Sequence, residues 1–234
     1  MFERVIICLA NSFKPPSGRC VAGKEYAGPR VGQWIRPISS RQGREVSEEE
    51  RRYENGRTAQ LLDIVRVPLD HPAAMVHQTE NFVLAEEHTW VKEGSASPEQ
   101  VAAMLDAPDP AFWIDAQSTY QGINDKVPAM AAAHIPCSLK LISVQTLQLQ
   151  VGFEEGFQGR PGRRRVRGQF DLQGRPYRLS VTDPEIVQRY LGQPDGDHNI
   201  ADATLCVSLA EIWNGFAFRV IASVITPDRF QGAL

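Results

Sequence analysis

Apolar and polar positions alternate with period two in short stretches of this chain, the spacing at which side chains share one face of a strand. Strands are predicted over residues 4–10, 19–24, 34–38 and 61–68, parted by turns rich in Gly, Pro, Ser and Asn. Further strands are predicted over 139–153 and 166–172, where Leu147, Leu149 and Val151 alternate against Gln148 and Gln150. A turn at Gln173 and Gly174 joins 166–172 to 177–181 as a hairpin, and 205–209 and 216–225 close the chain. Helical signals are fewer. Ser47 with Glu50 forms a capping box that predicts a short charged helix. Ser97, Pro98 and Gln100 supply an N-cap, a first-turn proline and a box partner ahead of an apolar stripe of Val101, Met104 and Leu105. Asp183 and Pro184 open a helix whose Ile186, Val187, Tyr190 and Leu191 share a face. With no repeat of 20 to 50 residues, the pattern implies a mainly β protein with a few short helices, built as two small antiparallel barrels in tandem. The alanine-rich connector over 129–136 divides the chain into 1–130, a barrel with a helical insertion, and 131–234, a second barrel.

Composition narrows the class. The chain has 234 residues, 42% hydrophobic and 23% charged, which suits a globular protein with a buried core. No apolar run reaches the roughly 18 residues of a membrane span, and the longest, over 216–225, is broken by Arg219. The short apolar stretch after Glu3 lacks a cleavage site, so no signal peptide is expected and the protein is placed in the cytoplasm. Cys8, Cys20, Cys137 and Cys206 are too widely spaced for a CxxC pair and read as reduced, structural thiols.

Charge is segregated. Residues 1–44 hold 8 basic and 2 acidic groups, 45–130 hold 6 and 16, and 131–234 hold 11 and 10. Seven arginines, at 160, 163, 164, 165, 167, 175 and 178, stand against Asp171 alone. A protein acidic overall can thus present a basic, anion-binding face, although pairing with the acidic middle block is the alternative.

Asn11, Ser12, Lys14, Arg19, Cys20 and Lys24 form a polar cluster near the start. Residues 18–24 have P-loop spacing, but Glu25 stands where Ser or Thr would hold Mg²⁺, and no βαβ alternation follows. An extended segment whose basic residues border a groove is the better reading. Trp34 and Arg36 share a strand face at period two, pairing an indole with a guanidinium as single-strand binders do; the alternative is a core tryptophan with arginine at its rim. Arg163, Arg165 and Arg167 recur at period two, and arginine forks suit phosphate. Tyr177 could add stacking beside them. The alternative for the run is a solvated loop. Cys20 lacks a marked histidine base, Asp183 reads as a helix cap, and no metal, HExxH or GxSxG pattern occurs, so neither catalytic residues nor cofactors are called for.

The runs Cys8-Leu9-Ala10-Asn11-Ser12, Gly18-Arg19-Cys20-Val21-Ala22-Gly23-Lys24 and Trp34-Ile35-Arg36-Pro37 resemble the prokaryotic dual OB-containing domain family. So do Tyr177 through Val181-Thr182-Asp183-Pro184 and Leu205-Cys206-Val207-Ser208-Leu209. The resemblance implies two OB-like barrels and nucleic-acid or nucleotide sensing in bacterial defence, with no assured catalytic residues. The aromatic arrangement over 213–218 departs from the family's pattern. The resulting expectation is a binding module for single-stranded nucleic acid or a nucleotide. Its rivals are an enzyme acting on a nucleotide or modified base through the cluster from Asn11 to Lys24, and a scaffold whose acidic 45–130 block meets a protein partner. No membrane partner is expected.

Overall fold

The computed structural model describes all residues except 16, 87, 114–115, 157–160 and 231–234. In the first half, β1 (Phe2–Lys14), β2 (Gly18–Ala27), β3 (Trp34–Ile38), β4 (Asp63–Pro72) and β5 (Asn81–Leu84) form a closed ring. Its order is β1-β2-β3-β5-β4, and β4 returns to β1 through pairs such as Val5↔Arg66. β6 (Val91–Ser95) adds to β4 outside the ring.

The second half repeats the order. β8 (Leu139–Glu154), β9 (Arg163–Leu172), β10 (Arg175–Val181), β11 (Gly196–Leu209) and β12 (Phe216–Ile225) close when β10 meets β12 at Ser180↔Val220 and Val181↔Ile221. β7 (Lys126–Pro128) adds to β12. In each ring the third and fifth strands run parallel, β3 with β5 and β10 with β12, while the other ring pairs are antiparallel. The expected two small antiparallel OB-like barrels are present, each with one parallel pair in its ring. They are five-stranded Greek-key barrels of the OB type, present twice.

Local chemistry accounts for most elements. Gln173 (φ 54°) and Gly174 (φ 76°) both take positive φ, as a two-residue hairpin turn requires. Ser97 accepts from the Gln100 N–H and caps α1 (Pro98–Ala102). Asp183 accepts from the Glu185 and Ile186 N–H groups and caps α4 (Pro184–Leu191). The Ser47 and Glu50 box also forms, with Ser47 N–H donating to Glu50 at 2.7 Å, but it closes turns, not the expected helix. Leu105 is 37% exposed, outside the buried stripe of Val101 and Met104.

Three apolar clusters hold the molecule together. Ile6, Cys8, Val21, Ile35, Val65 and Val67 fill the first barrel. Leu147, Leu149, Val166, Phe170, Leu179 and Ile221 fill the second, with Phe112 and Trp113 of α2 (Pro110–Trp113) packed into it. A third cluster spans both barrels, joining Ile7, Leu9, Ala22 and Trp34 to Leu139, Leu141, Cys206 and Ala222, with α1 supplying Val101. Each fully buried aliphatic contributes about 1.5–3 kcal/mol, so this shared layer makes the two halves energetically interdependent. The crossover between sheets lies between β6 and β7, ahead of the boundary expected at residue 130. No helix among the described residues is long and apolar enough to cross a membrane.

Candidate nucleic-acid interface

OB barrels bind oligonucleotides on the outer face of their second and third strands. In the first barrel those strands are β2 and β3, and their outward side chains meet the segment after α1 and the second barrel. Lys24 is buried, donating to the Met104 carbonyl and the Asp106 carboxylate at 2.7 Å each. Trp34 lies beneath the Lys24 ammonium, 5.2 Å from its ring centroid, and its indole N–H donates to Asp106 at 3.1 Å. Arg36 is buried against Glu80, Ser138 and Ser208. The expectation that Lys24, Trp34 and Arg36 line an open groove is corrected: with 8% of its surface exposed, Trp34 offers no face for a base. The P-loop spacing is likewise a strand, with Gly18 to Lys24 inside β2.

The rest of the early cluster disperses. Ser12 is buried, and Lys14 reaches across to Glu211 at 2.8 Å. A register shift between Cys8 and Ala10 places Asn11 opposite Val21, the usual effect of a bulge on strand parity. Asn11 and Arg19 then line a cleft of about 970 Å³ between the barrels. Arg51, Tyr53 and Asp63 of the first barrel and Asp183, Ser223 and Arg229 of the second line it too. Sequence reading had assigned none of these six to a site, because they lie far apart in the chain. Cys20 is half-buried, and no hydrogen bond joins it to a histidine among the described residues. Burial pushes the Cys137 thiol up to about 12 and raises Cys8 and Cys206 as well, so these three stay protonated and unreactive at neutral pH.

In the second barrel β9 and β10 are the equivalent strands. Val166, Gly168 and Phe170 point inward, leaving Arg163, Arg165 and Arg167 on the outer face. Arg163 and Arg165 are exposed, but the row is not free of acids as its sequence suggests. Glu154 of β8 takes Arg167 at 2.5 and 3.1 Å and Arg165 at 3.3 Å. Arg164, on the other strand face, pairs with Asp195 at 2.7 Å; Arg160 lies outside the described residues. Tyr177 points inward, 1% exposed and stacked 5.5 Å from Phe170, so its expected stacking role is replaced by core packing. An exposed aromatic of the β11–β12 hairpin lies toward the other end of the barrel from Arg163 and Arg165. Trp213, 48% exposed, sits in the hairpin between β11 and β12 with its ring 6.1 Å from Phe218.

The acidic middle block does not form one face. Glu45, Asp63, Glu80 and Asp125 are buried, with Asp63 held by Lys92 at 2.6 Å and Glu80 by Arg36 at 3.1 Å.

Searches of curated proteins and of solved structures each found no match. The sequence profile described as Dual OB-containing domain matches residues 4–224, nearly the whole chain and both barrels, and the chain belongs to that family.

Proposed function

We propose that the protein is a binding module without chemistry of its own, holding single-stranded nucleic acid on the outer face of β9 and β10. One contrast carries the reading: the corresponding face of the first barrel is covered by the segment after α1 and the second barrel, whereas Arg163 and Arg165 stand in solvent. A row of guanidinium groups can track the phosphates of a bound strand. In the setting the family resemblance implies, the module serves as a cytoplasmic sensor or adaptor in bacterial defence.

The test is fluorescence anisotropy with labelled single- and double-stranded DNA and RNA across a salt series. Affinity should fall linearly on logarithmic axes as counterions are displaced, single strands should bind more tightly than duplex, and joint Arg163→Gln and Arg165→Gln replacement should weaken binding without lowering Tm. Absence of binding to every oligonucleotide at low salt would overturn the reading.

A further inference from the structure

The cleft between the barrels shares no residue with the face formed by Arg163, Arg165 and Arg167, and its charges do not balance. Each of its carboxylates is committed to a protein partner. Asp63 takes Lys92 at 2.6 Å and accepts from the Tyr53 hydroxyl at 2.7 Å. Asp183 takes Arg229 at 3.0 Å while capping α4. Glu185 and Asp228 both take Arg189, and Glu48 takes Arg52. Three guanidinium groups lining the same cleft, those of Arg19, Arg51 and Arg57, have no carboxylate at ion-pair distance among the described residues.

Arg19 lies over the Phe13 ring at 4.5 Å. Arg51 is more than nine-tenths buried, and among the described residues its side chain hydrogen-bonds only the Ala59 carbonyl, at 3.3 Å. Arg19 Nη1 and Arg51 Nε are buried without an acceptor. Burial holds both groups below the ordinary arginine pKa; Asp183 opposes the shift at Arg19, while at Arg51 the charge of Arg19 adds to it and Glu48, Cys8 and Tyr53 oppose it. Two desolvated like charges facing one cavity are a cost that an anion between them would relieve.

We infer that this cleft binds a terminal phosphate monoester, with Arg19 and Arg51 on the phosphate and Arg57 at the rim. A monoester near neutral pH carries close to two charges and three acceptor oxygens, which matches two planar donor forks better than a diester inside a strand does. At about 970 Å³ the space lies within the range of small-molecule sites and can admit a nucleotide. The phosphate can belong to a free nucleotide or to the 5′ end of an oligonucleotide. The inference stands apart from strand binding on the second barrel and survives its failure.

Calorimetry with adenosine 5′-monophosphate, and anisotropy with one oligonucleotide carrying either a 5′-phosphate or a 5′-hydroxyl, test it on the full chain. Saturable binding of the mononucleotide, tightening from pH 5 to 7 as the second phosphate proton leaves at about 6, would point to a free nucleotide. A preference confined to the 5′-phosphorylated oligonucleotide would point to a strand end. Either ligand should lose at least about tenfold in affinity in Arg19→Gln and in Arg51→Gln, the effect of one missing charge-assisted hydrogen bond. The unliganded Tm of Arg51→Gln should match or exceed wild type, since a repelling charge is gone. Should that variant not fold, Arg19→Gln and the exposed Arg57→Gln carry the test. The inference is overturned if the mononucleotide does not bind and the two oligonucleotides bind alike, or if binding is unchanged in the variants that fold. Loss of 5′-hydroxyl oligonucleotide binding alone would count against the strand-binding face and leave the cleft standing.

Discussion

The Arg36 guanidinium sits 3.1 Å from the Glu80 carboxylate, and both side chains are buried. Both residues belong to the first barrel, yet Arg36 donates to the Ser138 and Ser208 hydroxyls of the second at 2.8 and 3.2 Å. Glu80 in turn accepts from the Ser138 N–H at 3.2 Å and from its hydroxyl. The second barrel thus supplies much of the polar shell that keeps this charge pair tolerable away from water. The chain invests in this junction the strand face that OB barrels ordinarily offer to a ligand.

Removing one partner strands the other as a buried charge, which costs about 3–5 kcal/mol. Arg36→Met should therefore lower stability by that amount in urea melts monitored by tryptophan fluorescence. Replacing both, as Arg36→Met with Glu80→Gln, should recover a good part of the loss. Additive losses in the double variant would contradict the coupling.

Why the seam was hidden from the sequence follows from what alternation can report. Period two correctly put Trp34 and Arg36 on one face of β3, and capping signals at Ser97 and Asp183 marked α1 and α4 where they occur. Alternation does not say what lies opposite a face. The segment after α1 and the second barrel together cover Lys24, Trp34 and Arg36, while solvent covers Arg163 and Arg165, and both rows read alike in the chain. Strands without an apolar rhythm were missed: β6 reads Val-Lys-Glu-Gly-Ser, and β11 begins Gly-Asp-His-Asn. Both are held by hydrogen bonds to a neighbouring strand that has such a rhythm. Asn11 and Arg19 were legible as part of a polar cluster. Arg51 and Arg229 became neighbours of that cluster only through the topology.

The seam also titrates. His77 Nε2 lies 2.9 Å from the Ala210 carbonyl, while Nδ1 is buried without a partner. Burial lowers its pKa; the Ala210 carbonyl opposes the shift, the Arg36 charge reinforces it, and Glu80 and the Leu209 carbonyl also oppose it. The unfolded chain takes up a proton near pH 6.5, whereas the folded protein does so only at lower pH. Stability is therefore complete above about 6.5 and declines as pH falls below it. Tm should drop between pH 7 and pH 5.5, and His77→Gln, which keeps a donor for Ala210, should flatten that decline. An equal slope in the variant would assign the pH dependence to other groups.

Glu154 governs how much positive charge the second barrel shows. It is 14% exposed, takes Arg167 through two hydrogen bonds and holds Arg165 at 3.3 Å. Glu154→Gln leaves the side chain's size intact and removes the charge that neutralises the row. The lost charge-assisted hydrogen bonds should cost about 1.5–3 kcal/mol of stability, limited by Asp125, which approaches Arg167 at 4.0 Å. If β9 holds a strand, the variant should bind single-stranded oligonucleotides more tightly than wild type despite being less stable. Its affinity should also fall more steeply with salt, because more counterions are released per bound strand. Arg165→Gln should move both quantities the other way. A purely structural role for Glu154 predicts lower stability with unchanged affinity and slope, so measuring all three on one preparation separates a masked binding face from an ordinary surface ion pair.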